Sequence, residues 1–398
     1  MNREIQKTLE RAQAGQRLSP EQGLLLFDCD SLPLLAQAAH AARLCKTRPD
    51  AVTYVVDRNI NYTNVCVSGC RFCAFYRSED SPEAYVLSYE DIGAKVAETI
   101  ALGGRQILLQ GGLHPSLRLE WYEGLLRYLK AEYGIYVHGF SAPEIAHAAK
   151  LEGLSIEAVL GRLIDAGLDS IPGGGAEILS ESVRHAVSPR KGVVEEWLAV
   201  HRAAHRRGLR TTATMMFGHV ESLADRIEHF ERIRQLQDET SGFTAFISWT
   251  FQPGNTELEK DKRQYRISNK ECRTSKEKAR RPAPAPSFLS PAPQSSASSL
   301  QSPAYLSGSH EYLKTLAISR LYLDNLDNFQ ASWVTQGAEI GQVALMFGCN
   351  DFGSTMIEEN VVRSAGCSFQ MDEPRIRRLI SEAGFTPLRR DYLYRIME

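Results

Sequence analysis

Three cysteines, Cys66, Cys70 and Cys73, stand in a Cys-x₃-Cys-x₂-Cys spacing inside the stretch NYTNVCVSGCRFCAFYR that runs from Asn61 to Arg77. Three thiolates can hold three irons of a cubane [4Fe–4S] cluster and leave the fourth iron without a protein ligand. Such an open iron can be chelated by the amino and carboxylate groups of S-adenosylmethionine (SAM). An electron passed to the sulfonium then breaks a C–S bond and gives methionine and a 5′-deoxyadenosyl radical. A structural zinc site asks for four ligands, usually as two spaced pairs, and no second Cys-x₂-Cys or Cys/His pair accompanies this one. A disulfide would leave one of the three cysteines odd. Phe72, Phe75 and Tyr76 can shield a cluster and pack on adenine, or equally belong to a core. The other five cysteines, Cys29, Cys45, Cys272, Cys349 and Cys367, stand alone and read as small apolar side chains.

The elements around this loop alternate. A β-rich run, Ala51–Val56, precedes it. Ser88-Tyr-Glu-Asp91 has the form of a capping box, with Ile92, Val96 and Ile100 following at helical spacing and Gly103-Gly104 as the stop. Strands are expected over 106–109, 135–140, 168–171, 210–216, 243–249 and 329–334. The matching helices are 120–132, 156–166 (capped by Ser155), 193–207, 222–236, 311–323 and 338–346. Repeated strand–helix units imply a parallel sheet, and seven or eight of them without a long return imply an α/β fold, a closed (β/α)₈ barrel. Polar and glycine-rich turns follow the strands: 110–112, 141–144, 173–177, 217–219, 252–255, 336–337 and 348–353. In a barrel they converge on the C-terminal rim, where active sites are built.

The chain of 398 residues is 43% hydrophobic with a net charge of −2. That is enough apolar content for a large core, and the charge points to neither a nucleic-acid nor a membrane-surface partner. The polar N-terminus lacks the apolar segment of a secretory signal, no window is long and apolar enough to span a membrane, and unpaired cysteines suit a reducing compartment. A cytoplasmic location is expected. Residues 1–50 read as a helical extension, 51–258 and 310–398 as the barrel. Residues 259–309, basic and then Pro/Ala/Ser-rich, read as a disordered insertion.

The phrase RNINYTNVCVSGCRFCAFYR resembles the radical SAM superfamily, and within it the menaquinone-futalosine branch. QGGLHP, HGFSAPEI, IPGGGAEIL, SWTFQPGNT, DNFQASWVTQG and NDFGSTMIEENVVRSAG carry the likeness to the cyclic dehypoxanthine futalosine synthase family from about residue 20 to the C-terminus, apart from the insertion. Ala142 stands where proline is expected and Cys349 where alanine is expected. The resemblance implies a barrel enzyme with a [4Fe–4S] cluster on Cys66, Cys70 and Cys73 and SAM as co-substrate. Gln110, Gly111 and Gly112 would receive the methionyl amine, Phe72 would pack near the cofactor, and Glu177 would bind the SAM ribose, whose vicinal diol suits a carboxylate that accepts two hydrogen bonds. Glu177 could instead be an acid at a helix N-terminus.

The implied reaction removes the ribose C4′ hydrogen of dehypoxanthine futalosine, adds the carbon radical to the benzoate ring and restores aromaticity by loss of an electron and a proton. His114, Glu144, His219 and Asp351 are candidate proton acceptors on the rim, and Arg77 or Arg320 could meet the substrate carboxylate. The implied partners are that small-molecule substrate and an electron donor such as flavodoxin or ferredoxin. Aminofutalosine synthase and the deazaflavin (FO) synthase subunits share the cluster motif. A non-catalytic iron–sulfur protein would need a fourth ligand from the protein or from another source.

Overall fold

The structure is a computed structural model that describes residues 3–260 and 308–397. The stretch read as a disordered insertion, with Cys272, lies outside the described residues except at its ends. Among the described residues, ten strands form one sheet: β1 (Ala51–Val55), β2 (Asn59–Asn61), β3 (Gln106–Gln110), β4 (Tyr136–Gly139), β5 (Ser170–Ile171), β6 (Arg210–Phe217), β7 (Phe243–Thr250), β8 (Asn328–Gln330), β9 (Asp351–Ser354) and β10 (Thr386–Arg389). Their order is β10-β1-β9-β8-β7-β6-β5-β4-β3-β2, and every pair is parallel.

Chain continuity curls this sheet into a barrel. Residues 51–61 behave as one kinked strand whose first part pairs β9 and β10 and whose second part pairs β3. The Arg58 carbonyl accepts the Leu108 amide at 2.9 Å, and the Asp57 carbonyl accepts the Ile357 amide at 3.1 Å. The two ends of the sheet thus meet on a single segment. The ring is thinnest at β4–β5, held by the pair His138↔Ser170, and at β8–β9, held by Gln330↔Asp351.

Strand alternation sorts the side chains. Ile107, Leu109, Val137, Ala213 and Met215 are buried in the main core, while Gln106, Leu108, Gln110, His138, Thr212 and Thr214 face a central cavity. Barrel interiors are ordinarily filled by bulky branched residues. Polar residues at these inward positions leave space instead.

Helices follow the strands much as the punctuation predicts. The Ser88 hydroxyl accepts the Asp91 amide at 3.1 Å, and the Asp91 carboxylate accepts the Ser88 amide at 3.4 Å, starting helix Tyr89–Ala101. Residues before the barrel form helices Arg3–Gln13, Pro20–Leu26 and Leu32–Leu44.

Three expectations need correction. Ser141-Ala-Pro-Glu144 is not an open rim turn but the start of helix Ala142–Glu152, because the Glu144 carboxylate accepts both the Ser141 amide (2.7 Å) and its hydroxyl (2.5 Å). The strand expected over 329–334 stops at Gln330, since the Ser332 amide donates to the Tyr312 hydroxyl at 2.8 Å and the chain turns into helix Trp333–Gln336. The turn at 348–353 contains a strand, β9, whose residues are all buried.

Candidate active site

The cysteine loop leaves β2 and is tied at both ends. The Cys66 amide donates to the Arg77 carbonyl (3.0 Å), the Arg77 amide to the Asn64 carbonyl (2.8 Å), and the Val67 amide to the Leu113 carbonyl (3.0 Å). The Arg77 guanidinium donates to the carbonyls of Ala74, Phe75 and Tyr76 and to Glu83, so it staples the loop. Two sulfurs already have partners suited to anionic ligands. The Leu113 amide donates to Cys66 Sγ at 3.3 Å, and the Ser68 hydroxyl lies 3.0 Å from Cys70 Sγ.

Burial raises the Cys66 and Cys73 thiols, Cys73 to about 11, and the Lys191 charge acts in the opposite direction on both. Three thiols with these donors and a nearby cation fit a cluster bound through three thiolates. Among the described residues, no three His, Cys, Asp or Glu side chains come together to hold a single metal ion. A cubane asks for no such convergence, because its ligands sit on separate irons.

Gly112 lets β3 run on beneath this loop. A Cβ there would collide with the Val65 carbonyl and come within 2.8 Å of the Cys66 Cβ. The collision is with backbone, which cannot swing aside. Gly112→Ala should therefore cost about 1–3 kcal/mol and lower iron loading, read by urea unfolding and by iron content per chain.

Beside the loop lies a charged node. Glu177 is buried with φ +42, a left-handed backbone that few non-glycine residues adopt. Its Oε1 accepts from Lys191 at 2.7 Å; its Oε2 has no hydrogen-bond partner among the described residues, with Arg184 Nη1 at 3.7 Å. Arg184 donates to the carbonyls of Gly175 (2.8 Å) and Ala176 (3.2 Å) and so fixes the glycine turn. Lys191 packs 5.1 Å over the Phe72 ring. Burial opposes its charge, but the charges of Cys70 and Glu177 outweigh this and raise its pKa. The free lone pairs of Oε2 form an acceptor site beside the cysteine loop.

Inside the barrel is a cavity of about 280 Å³, close to the ~300 Å³ lower end for small-molecule sites. Gln110, Gly173 and Gly174 line it at the strand ends, and Asp57, Gln106 and Arg390 line it as well.

The chain matches the model of the radical SAM superfamily over residues 60–233 and that of the CofH/MqnC C-terminal region over 296–398. It is 43% identical to the cyclic dehypoxanthine futalosine synthase of Halalkalibacterium halodurans, over 99% of this chain and 95% of that one. The chain belongs to the radical SAM superfamily. More narrowly, it is a radical SAM enzyme of the futalosine-pathway family, and its cofactors are a [4Fe–4S] cluster and SAM. It is also 41% identical to the 5-amino-6-(D-ribitylamino)uracil–L-tyrosine 4-hydroxyphenyl transferase of Methanopyrus kandleri, over 90% of this chain and 87% of that one. Its fold is similar to the FeFe-hydrogenase maturase HydG of Carboxydothermus hydrogenoformans, with a TM-score of 0.68 at 15% identity, covering 98% of this chain and 81% of that one.

In this radical SAM barrel, the acid–base residues singled out from sequence do not line the cavity. His114 Nδ1 accepts the amides of Ser116 (3.1 Å) and Leu117 (3.3 Å). Glu144 accepts from Tyr62 (2.7 Å), the Gly111 amide (3.0 Å) and Ser141. Asp351 is fully buried and accepts from Arg390 Nε (2.5 Å) and Nη2 (3.0 Å), Thr53 (2.6 Å) and the Gly353 amide (2.9 Å). His219 Nε2 lies 3.0 Å from the Met216 carbonyl, and its Nδ1 accepts the Val220 amide. Each holds backbone or another side chain in place.

The two arginines considered for the substrate carboxylate are likewise absent from the cavity wall. Arg77 serves its own loop, and Arg320 packs over Phe329 at 4.7 Å and donates to the Asp327 carbonyl. Sequence reasoning missed Lys191, Asp57, His138 and Arg390. The period-2 run in β4 was the available signal for His138, and the Val-Asp step after β1 for Asp57.

No helix among the described residues is long and apolar enough to cross a membrane.

Proposed function

We propose that this enzyme cyclises dehypoxanthine futalosine to cyclic dehypoxanthine futalosine in menaquinone biosynthesis, in the cytoplasm, with electrons from a flavodoxin or ferredoxin. What carries the reading is the 43% identity to a cyclic dehypoxanthine futalosine synthase along nearly the whole of both chains.

Cys66, Cys70 and Cys73 would hold the cluster, with the Leu113 amide and the Ser68 hydroxyl easing the charge on two sulfurs. When bound, the cluster supplies the electron that splits SAM and so a 5′-deoxyadenosyl radical. Gln110, Gly111 and Gly112 would seat the methionyl amine, Phe72 would flank the cofactor, and Glu177 would bind the ribose through its unpartnered Oε2. Lys191 holds the other oxygen of that carboxylate and so orients it. The cavity then has two tasks: to bring the substrate ribose C4′–H against the 5′ carbon, a matter of positioning, and to exclude water from the radicals.

Glu177→Gln should weaken SAM binding about tenfold or more, the scale of a hydrogen bond to a charged acceptor, as read by calorimetric titration of the cluster-loaded protein. Unchanged affinity would remove Glu177 from the ribose site.

The activity itself is tested by incubating anaerobically reconstituted enzyme with dehypoxanthine futalosine, SAM and dithionite. Cyclic product together with 5′-deoxyadenosine is expected. Release of 5′-deoxyadenosine without cyclic product would reject the reading. The 41% identity to a hydroxyphenyl transferase favours one second reading, tested by supplying 5-amino-6-(D-ribitylamino)uracil and tyrosine instead.

A further inference from the structure

The proposed cyclisation ends with the loss of a proton, and the cavity wall contains a group arranged to take it. Among the titratable side chains that line the cavity, most are already engaged. Asp57 accepts from Ser354 and, at 3.0 Å, from Gln106. Glu359 accepts the amides of Val361, Val362 and Arg363. Arg390 is paired to Asp351 through two nitrogens. Burial raises both Tyr392, to about 12, and Tyr394, so the phenols keep their protons.

His138 differs. It sits in β4, level with Leu108 on one side and Ser170 on the other. Its Nδ1 lies 2.8 Å from the Ser170 hydroxyl, and that hydroxyl donates its single proton to the Arg210 carbonyl at 2.8 Å. A carbonyl only accepts, so Ser170 must accept from His138. Nδ1 therefore carries the imidazole proton, and Nε2 is left with a bare lone pair. No partner for Nε2 is found among the described residues, and the side chain lines the cavity. Burial, and after it the charge of Arg390, pushes the imidazole down to about 3, so the lone pair stays available at any working pH.

We infer that His138 Nε2 is the proton acceptor that restores aromaticity to the benzoate ring. The inference rests on the cyclase reading above. After the ribose carbon has bonded to the ring, the cyclohexadienyl radical loses one electron to a one-electron acceptor of the iron–sulfur class. It loses one proton, from the carbon that carries the new bond, to Nε2. The ring C–H bond breaks, its electron pair rejoins the ring, and the imidazolium that forms is held by the Ser170–Arg210 relay. A ring that has lost its electron is a strong acid, so a weak but unprotonated base suffices.

His138→Asn keeps a donor toward Ser170 and has no acceptor at the Nε2 position. In the full reconstituted chain it should form 5′-deoxyadenosine within about threefold of the parent rate while cyclic product falls ~10²-fold or more, the usual share of a general base. His138→Ala should recover product when imidazole is added. Apart from turnover, ¹⁵N-histidine spectra of the full chain should show an unprotonated Nε2 from pH 6 to 8, assigned by its disappearance in His138→Asn. Unimpaired product in His138→Asn would overturn the assignment, as would a protonated Nε2, or a parallel loss of 5′-deoxyadenosine with cluster and SAM spectra intact. A parent enzyme that yields 5′-deoxyadenosine but no cyclic product would reject the cyclase reading and the role of His138 with it.

Discussion

Cys66→Ala, Cys70→Ala and Cys73→Ala are each expected to reduce 5′-deoxyadenosine formation to the background of cluster-free protein. Each should also lose the visible absorption of the [4Fe–4S] cluster after reconstitution. Two of the cysteines outside the motif are shut away in the core. Cys349 is fully buried, and its thiol is pushed far up by that burial; Cys29 is also buried. Cys349→Ala and Cys29→Ala therefore serve as controls that keep full iron content. The expected cost in stability is small, ~1 kcal/mol for each cluster cysteine, so folding and chemistry separate cleanly. A single cysteine variant that retained a full cluster would break the three-ligand proposal.

The second large effect is on stability. Asp351→Ala strands the Arg390 guanidinium inside the barrel, where it loses two charge-assisted hydrogen bonds. Removing one partner of a buried pair costs about 3–5 kcal/mol, mostly because the other charge is left without compensation. Urea unfolding should report that loss. The double variant Asp351→Ala/Arg390→Met should recover much of it, since no stranded charge remains. If Asp351→Ala instead kept its stability and lost only product formation, Asp351 would act on the substrate, as its place in the glycine-rich turn first suggested.

Much of this was legible in the chain. The cysteine spacing pointed to the cluster, and Ser88 with Asp91 marked a helix start that the structure holds with two reciprocal hydrogen bonds. Alternating strand and helix signals led to the barrel. The candidate acid–base residues that lie off the cavity wall share a feature. Glu144, His114, His219 and Asp351 are polar residues beside glycines, which is how both catalytic residues and caps look in one dimension. Glu144 is engaged by the Tyr62 hydroxyl and the Gly111 amide, which follow directly after β2 and β3 and are not foreseeable from its own neighbours in sequence. Arg390 could not be placed from sequence, because its partner lies 39 positions upstream. His138 was overlooked because it sits within a strand rather than after one, and the tautomer that frees Nε2 depends on Ser170 in the neighbouring β5 and on Arg210 one strand further, in β6.

The pairing of β10 with β1 has a further consequence. Ala51 meets Thr386, so the first barrel segment waits for nearly the last before both its edges are occupied. Joining them spans the whole intervening polypeptide, and contacts this distant in sequence form late and slowly. During synthesis the three cysteines, the glycine turn and Glu177 all emerge well before Arg390 and Tyr394, which line the cavity. A nascent chain therefore exposes its sulfur ligands before the cavity wall is complete.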